Sequence, residues 1–172
     1  MPMSDNCRAV AFATLVPGVG YAAGMFAFLT DKSGVMDWYQ GLKRPCWAIP
    51  GSSCGILSQS LLETAAVVPL AYATTLVAKE GGLKNTDTKL ALASYAGLYV
   101  LGICVSMPAC YSKSLKAATY SVTAATGLSL LTAHLYYDIV PKAGYLALPM
   151  CAYCGYVALM LLRMWDLNEE QK

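Results

Sequence analysis

The sequence predicts an all-α membrane protein: a five-transmembrane-helix bundle with a long structured loop between helices 1 and 2. Three observations carry this. The 172 residues are 57% hydrophobic and only 13% charged, with a mean hydropathy of +0.49, whereas a soluble globular domain carries about 25% charged residues. Apolar stretches with few or no charges recur at Cys7–Leu29, Cys54–Ala78, Leu90–Cys110, Leu115–Tyr137 and Ala143–Leu162. Each is close to the roughly 20 residues that an α-helix needs to cross about 30 Å of hydrocarbon. These spans use most of the chain, so residues 1–172 read as a single domain. A soluble bundle would show a charged outer face on its helices, and these show almost none.

The first span, residues 7–29, is longer than the apolar part of a secretory signal and is followed by no small-x-small cleavage site. It is expected to stay in the mature protein. Its Gly20-x-x-x-Gly24, like Ala93-x-x-x-Gly97 in the third span, is the spacing that lets helix backbones approach closely in lipid. Either pair suits packing within a monomer or a homodimer, with the third span as the expected dimer interface. The loop 31–53 is too rich in Trp, Tyr, Leu and Pro to be disordered, and loops of this length are usually lids or binding loops. The later connections are shorter, so consecutive helices are expected to pack antiparallel as neighbours.

Within the spans, Glu63 is the one acidic residue far from an end, with Gln59 and Ser60 about one turn earlier on the same face. A carboxyl there is expensive and should face the bundle interior or water. It reads as a polar anchor for a ligand, as a protonated group bonded to neighbouring helices, or as a residue nearer the span's end. Thr119, Thr123 and Thr126 follow helical spacing on the fourth span, so their hydroxyls either line a cavity or bond their own backbone. Tyr95 and Tyr99 form an i,i+4 pair, and Tyr145, Pro149, Tyr153 and Tyr156 fall near one face of the fifth span. Such rings suit a flat ligand and ordinary helix packing alike. His134 is the only histidine and lacks the partners a metal site requires, so it reads as an interfacial residue. The odd set of seven cysteines, with Cys151-x-x-Cys154 as its only close pair, reads as packing residues in a reducing compartment. No metal site, cofactor or catalytic set is expected: there is no Gly-rich phosphate loop, no Ser/His/Asp set and no acidic cluster. A net charge of +2 gives no sign of a nucleic-acid partner.

With five spans the termini lie on opposite sides. The side holding the first loop, the third loop and the C-terminus carries Lys32, Lys43, Arg44, Lys113, Lys116, Arg163 and Lys172, against Arg8, Lys79, Lys84, Lys89 and Lys142 opposite. The positive-inside rule then turns the long loop towards the cytoplasm.

That loop carries the most specific pattern in the chain. Trp38-Tyr39-x-x-Leu42-x-Arg44-Pro45-x-Trp47-x-x-Pro50 resembles the Trp-Tyr-x-x-Leu-x-Lys-Pro-x-Trp-x-Pro-Pro signature of the translocator protein family, the tryptophan-rich sensory proteins or peripheral benzodiazepine receptors. Arg44 stands for the Lys and Ile49 for the first of the last two prolines. The resemblance continues thinly through residues 76–82, through Leu148-Pro149 and Tyr153, and through Trp165-Asp166-x-Asn168. The third helix departs most, with residues 102–107 where the family has Asn-Trp-x-Trp-Pro-Pro. Six residues lie between Tyr156 and Arg163, one too many for the proposed sterol motif.

The resemblance implies a membrane receptor or carrier whose first loop closes an internal cavity for sterols such as cholesterol, porphyrins or benzodiazepine-type drugs. The membrane would be the outer mitochondrial membrane in a eukaryote. The expected ligand-binding residues are Trp38, Tyr39, Leu42, Arg44, Pro45, Trp47 and Pro50 of the loop, with Glu63 and Tyr153 of the bundle. Pro45 and Pro50 reduce the entropy lost on ordering the loop, the aromatics supply area to close a mouth, and Lys43 and Arg44 offer cations to phosphates or ligand carboxylates. Other readings are a porphyrin-degrading or photo-oxidative activity using the loop aromatics, a structural partner of other membrane proteins, and a loop that only plugs the bundle.

Overall fold

The computed structural model describes residues 30, 34–82 and 84–169. The expected first span and Gly20-x-x-x-Gly24 lie outside them. The described elements are all helical: α1 (Val35–Gly41), α2 (Ser53–Glu80), α3 (Thr86–Leu101), α4 (Met107–Tyr111), α5 (Leu115–Ile139) and α6 (Pro141–Glu169). Among the described residues three helices are long and apolar enough to cross a membrane: Cys54–Glu80, Thr86–Tyr111 and Pro141–Glu169.

Local chemistry sets the helix starts. Ser52, Asn85 and Ser114 each cap an N-terminus with a side-chain oxygen, accepting from Gly55, Asp87 and Ala117 respectively. These caps satisfy backbone donors that have no helical partner. Pro141 opens α6, where its missing N–H costs nothing. Between α5 and α6 only Val140 is non-helical, and its N–H is held by the Tyr136 carbonyl at 2.8 Å. The two helices therefore fold back on each other at once. Gly144 sits at that closest approach, where a Cβ would lie 2.5 Å from Tyr137 Cβ and 2.8 Å from its Cα.

The third span is helical throughout Thr86–Tyr111, but not α-helical throughout. Gly102–Ser106 is a π-helical turn between α3 and α4. Pro108 lacks the N–H that would bond the Cys104 carbonyl, and its ring crowds that carbonyl, so the widened turn falls just before it.

α5 carries many hydroxyls, yet they do not leave it unfit for lipid. Thr119, Thr123 and Thr126 donate to the carbonyls of Leu115, Thr119 and Val122 at 2.8, 2.8 and 2.9 Å. Each polar hydrogen is satisfied within the helix, as an apolar surrounding demands. Their own-backbone reading is the one observed.

Two apolar clusters fill the interior. One joins Leu70 and Val77 of α2, Leu98 of α3, Tyr136 of α5 and Met150 of α6. There the fully buried Tyr136 hydroxyl meets Thr74 Oγ1 at 2.7 Å. The other joins Ala118 of α5 with Met160, Leu161 and Met164 of α6 and receives Tyr39, Leu42 and Ala48 from the long loop. The loop is thus folded onto one end of the bundle.

Candidate ligand cavity

The loop holds itself in shape through Arg44. Its guanidinium donates to the Tyr39 carbonyl at 2.8 Å and the Ile49 carbonyl at 3.4 Å, and lies 4.1 Å from the centre of the Tyr39 ring. A Cβ on Gly51 would run into this guanidinium, so glycine leaves it room. Three further bonds fasten the loop to α6. Ile49 N–H donates to the Tyr156 hydroxyl at 3.1 Å. Asn168 accepts from the Lys43 N–H at 3.1 Å and returns a bond to the Lys43 carbonyl at 3.0 Å. An unbranched amide that offers both a donor and an acceptor pairs with one backbone unit in this way.

Beneath the loop lies a cavity of about 260 Å³ between α2, the α3–α4 segment, α5 and α6. Its walls are mostly apolar, with Tyr39 contributed by the loop and Glu63 by α2. Glu63 is half-buried, and its Oε2 accepts a bond from the Tyr153 hydroxyl at 3.3 Å. Gln59 and Ser60 stand on the same wall. The π turn supplies Gly102 and Ser106, so the irregularity lies at the site rather than away from it.

Of the residues expected from sequence, Tyr39, Glu63 and Tyr153 come together at this cavity. Trp38, Leu42, Arg44, Pro45, Trp47 and Pro50 are not among its described lining residues. Trp47 is 47% exposed and packs edge-on against Tyr156, ring centres 5.9 Å apart. Leu42 packs on the loop-side cluster. The Arg44 cation, expected to meet ligand carboxylates or lipid phosphates, is turned onto the loop's own carbonyls. The expected aromatic face of the fifth span divides, since Tyr145 is exposed against Tyr137 at 5.7 Å while Tyr153 enters the cavity. Tyr95 and Tyr99 bond one another at 3.3 Å and pack against the other cluster.

Sequence reasoning missed the α5 wall. Ala118, Val122 and Ala125 line the cavity, one position away from the threonines singled out for it. Small residues at helical spacing make space where a hydroxyl was sought. It also missed Cys110 and Cys154, which face the same space. Cys151 donates to the Ser129 carbonyl at 3.3 Å, and both Cys151 and Cys154 are free thiols. Among the described residues no group of three or more His, Cys, Asp or Glu stands together as metal ligands. His134 is exposed at the opposite end, 3.7 Å from Asp138.

The TspO/MBR family model matches residues 12–166. The chain belongs to the TspO/MBR family. It is an integral membrane protein of the all-helical type. It is also similar to the translocator protein of Sus scrofa, 24% identical over 167 residues, a match spanning 95% of this chain and 92% of the relative. The translocator protein of Bos taurus is likewise 24% identical, over 164 residues, with the same shares covered. Within this TspO/MBR chain the loop signature and the α6 tail are joined physically, because Asn168 of the tail holds Lys43 of the loop.

Proposed function

We propose that this TspO/MBR protein is a membrane receptor or carrier that holds a hydrophobic polycyclic ligand in the cavity beneath its first loop. The observation that supports this most is the cavity itself: about 260 Å³, mainly apolar, roofed by Tyr39 and carrying a few convergent polar groups at Gln59, Ser60 and Glu63. That is the composition of a small-molecule site. Flat rings suit Tyr39 and Tyr153, which offer apolar faces with a polar tip. The relatives named translocator protein favour the same reading. Sterols and porphyrins are the candidate ligand classes. The volume lies just under the roughly 300–1,000 Å³ of drug-sized pockets, which favours a sterol-sized molecule over a tetrapyrrole. The protein performs no covalent chemistry in this proposal, and in a eukaryotic cell its membrane would be the outer mitochondrial membrane.

The test is saturable binding of a radiolabelled sterol and of a porphyrin to the purified protein in nanodiscs. Val122→Phe fills the cavity from α5 and should abolish sterol binding while the thermal melt changes little. Tyr39→Ala should weaken it at least about tenfold, the scale of a lost aromatic anchor. Trp47→Ala, acting only through the loop's seating on Tyr156, should cost no more than a few-fold. Undiminished binding in Val122→Phe would place the ligand elsewhere.

A further inference from the structure

A second space lies on the outer side of the cavity wall. Between α2 and α6 runs an open groove of about 290 Å³, lined by Leu62, Ala65 and Ala66 of α2 and by Pro149, Tyr153 and Tyr156 of α6. Tyr153 is the one described residue that lines both the groove and the cavity. The groove exists because bulk is missing along this seam, where α2 presents two alanines. Leu62 and Ala65 are exposed, within a stretch of α2 long and apolar enough to cross a membrane. Among the described residues, the groove therefore opens towards hydrocarbon. Pro149 leaves α6 without the N–H that would bond the Tyr145 carbonyl. The missing bond lies one turn before Tyr153, and a helix bends most readily where its ladder is interrupted. The loop end is fastened by contrast, through Tyr156 to Ile49 and through Asn168 to Lys43.

We propose that the groove between α2 and α6 is the site at which a hydrophobic polycyclic ligand leaves the bilayer, and that the ligand enters the cavity by displacing Tyr153. The inference rests on the reading of the cavity as a ligand site and adds the route by which that site fills. A ring system of this class dissolves in hydrocarbon, and carrying it through water would expose its apolar surface again. Entry from the side avoids that step. The groove matches the task in size, at about 290 Å³ against about 260 Å³ for the cavity. It matches in chemistry too, because Tyr153 and Tyr156 offer ring faces beside aliphatic side chains. One of the bonds that hold Tyr153 runs to Glu63 Oε2 at 3.3 Å, which gives the shared wall a defined closed position. A path beneath the loop has more to break, since the Arg44 bonds and the Lys43–Asn168 pair lie across it.

The probe is a radiolabelled sterol, with its association and dissociation followed over time on the intact protein in nanodiscs. Ala65→Phe and Leu62→Trp each fill the groove from an exposed position of α2, and neither residue lines the cavity. A blocked route slows entry and exit alike, because the free and bound states themselves are unchanged. Both variants should therefore slow association and dissociation at least about fivefold, while the dissociation constant, the ratio of the two rates, stays within about twofold of the wild type. A merely loosened fold would not slow both rates together. Unchanged rates in both variants overturn the inference, and faster rates in Asn168→Ala alongside them would move the route to the loop end. A loss of affinity carried by dissociation alone overturns it as well, by making the groove the resting site instead of the way in. Wild-type protein without saturable sterol binding overturns the cavity reading itself, so the two failures are told apart.

Discussion

Arg44 reaches back along its own loop to two carbonyls and covers the Tyr39 ring, so the lid's shape depends on a forked, planar cation. Lysine has the charge but not the fork. Arg44→Lys should therefore lower stability by about 1.5–3 kcal/mol, the range for hydrogen bonds to charged groups, seen as a lower melting temperature in detergent. An unchanged melt would mean that the loop holds without it. Asn168 is the second single-residue fastener. Asn168→Ala removes both bonds to Lys43 and should speed limited proteolysis within residues 34–50, whereas protease resistance equal to wild type would make the clip incidental. Glu63 gives the third residue-scale expectation. Glu63→Gln keeps the acceptor for Tyr153, while Glu63→Lys removes it and puts a cation against a mostly apolar cavity wall. The lysine variant should melt well below the glutamine variant, and equal melting temperatures would move Glu63 out into water. The spacing of Trp38, Tyr39, Arg44, Pro45 and Trp47 was enough to mark this loop as special. The role of Arg44 was not legible, because its partners are backbone carbonyls five residues away on either side, and only the path of the chain brings them round.

At the scale of elements, the spans were readable because a lipid core demands long apolar runs. Helices α2, α5 and α6 cover the expected ranges and extend beyond them. α6 runs to Glu169, past the apolar limit at Leu162, carried by polar residues that include an Arg163–Asp166 pair at 3.3 Å. The π turn at Gly102–Ser106 was not readable as such. Pro108 signals a disturbance, but whether a helix kinks, breaks or widens there depends on what its neighbours leave room for. The cavity wall on α5 was hidden for a related reason: alanine at Ala118 and Ala125 gives no chemical signal, only absence of bulk. Close approach is the element-scale property most open to test. Gly144 faces the backbone of Tyr137 across the α5–α6 turn, with no room for a Cβ. Gly144→Ala should destabilise by about 1–3 kcal/mol, the usual cost of overpacking, despite alanine's better helix propensity. Gly155, where a Cβ would meet nothing within 4 Å, provides the control, and Gly155→Ala should be neutral or slightly stabilising. Matching melts for the two variants would show that the turn opens without cost.

For the whole molecule, the question is which face meets a second copy. Only 19% of the apolar window of Thr86–Tyr111 is buried, against 44% for Cys54–Glu80 and 39% for Pro141–Glu169. Exposed apolar side chains are ordinary in lipid, so exposure alone selects nothing. Small residues do, because helix association there depends on close packing. On α3 the exposed side carries Ala93 and Ala96 between Leu90 and Val100. Gly97, paired with Ala93 by the sequence spacing, looks instead towards α5, where a Cβ would stand 3.4 Å from Leu128. The helix thus has two small-residue faces, one used inside the monomer and one free among the described residues to meet a partner. A homodimer in mild detergent is the expected state, with the Ala93–Ala96 side at its interface. Ala96→Phe should then give monomers on light scattering with an unchanged melt, since its side chain points away from the bundle. Gly97→Leu should act differently and lower the melting temperature by crowding Leu128, whatever it does to the dimer. A wild-type monomer, or a dimer that keeps its mass in Ala96→Phe, would assign the α3 face to lipid alone.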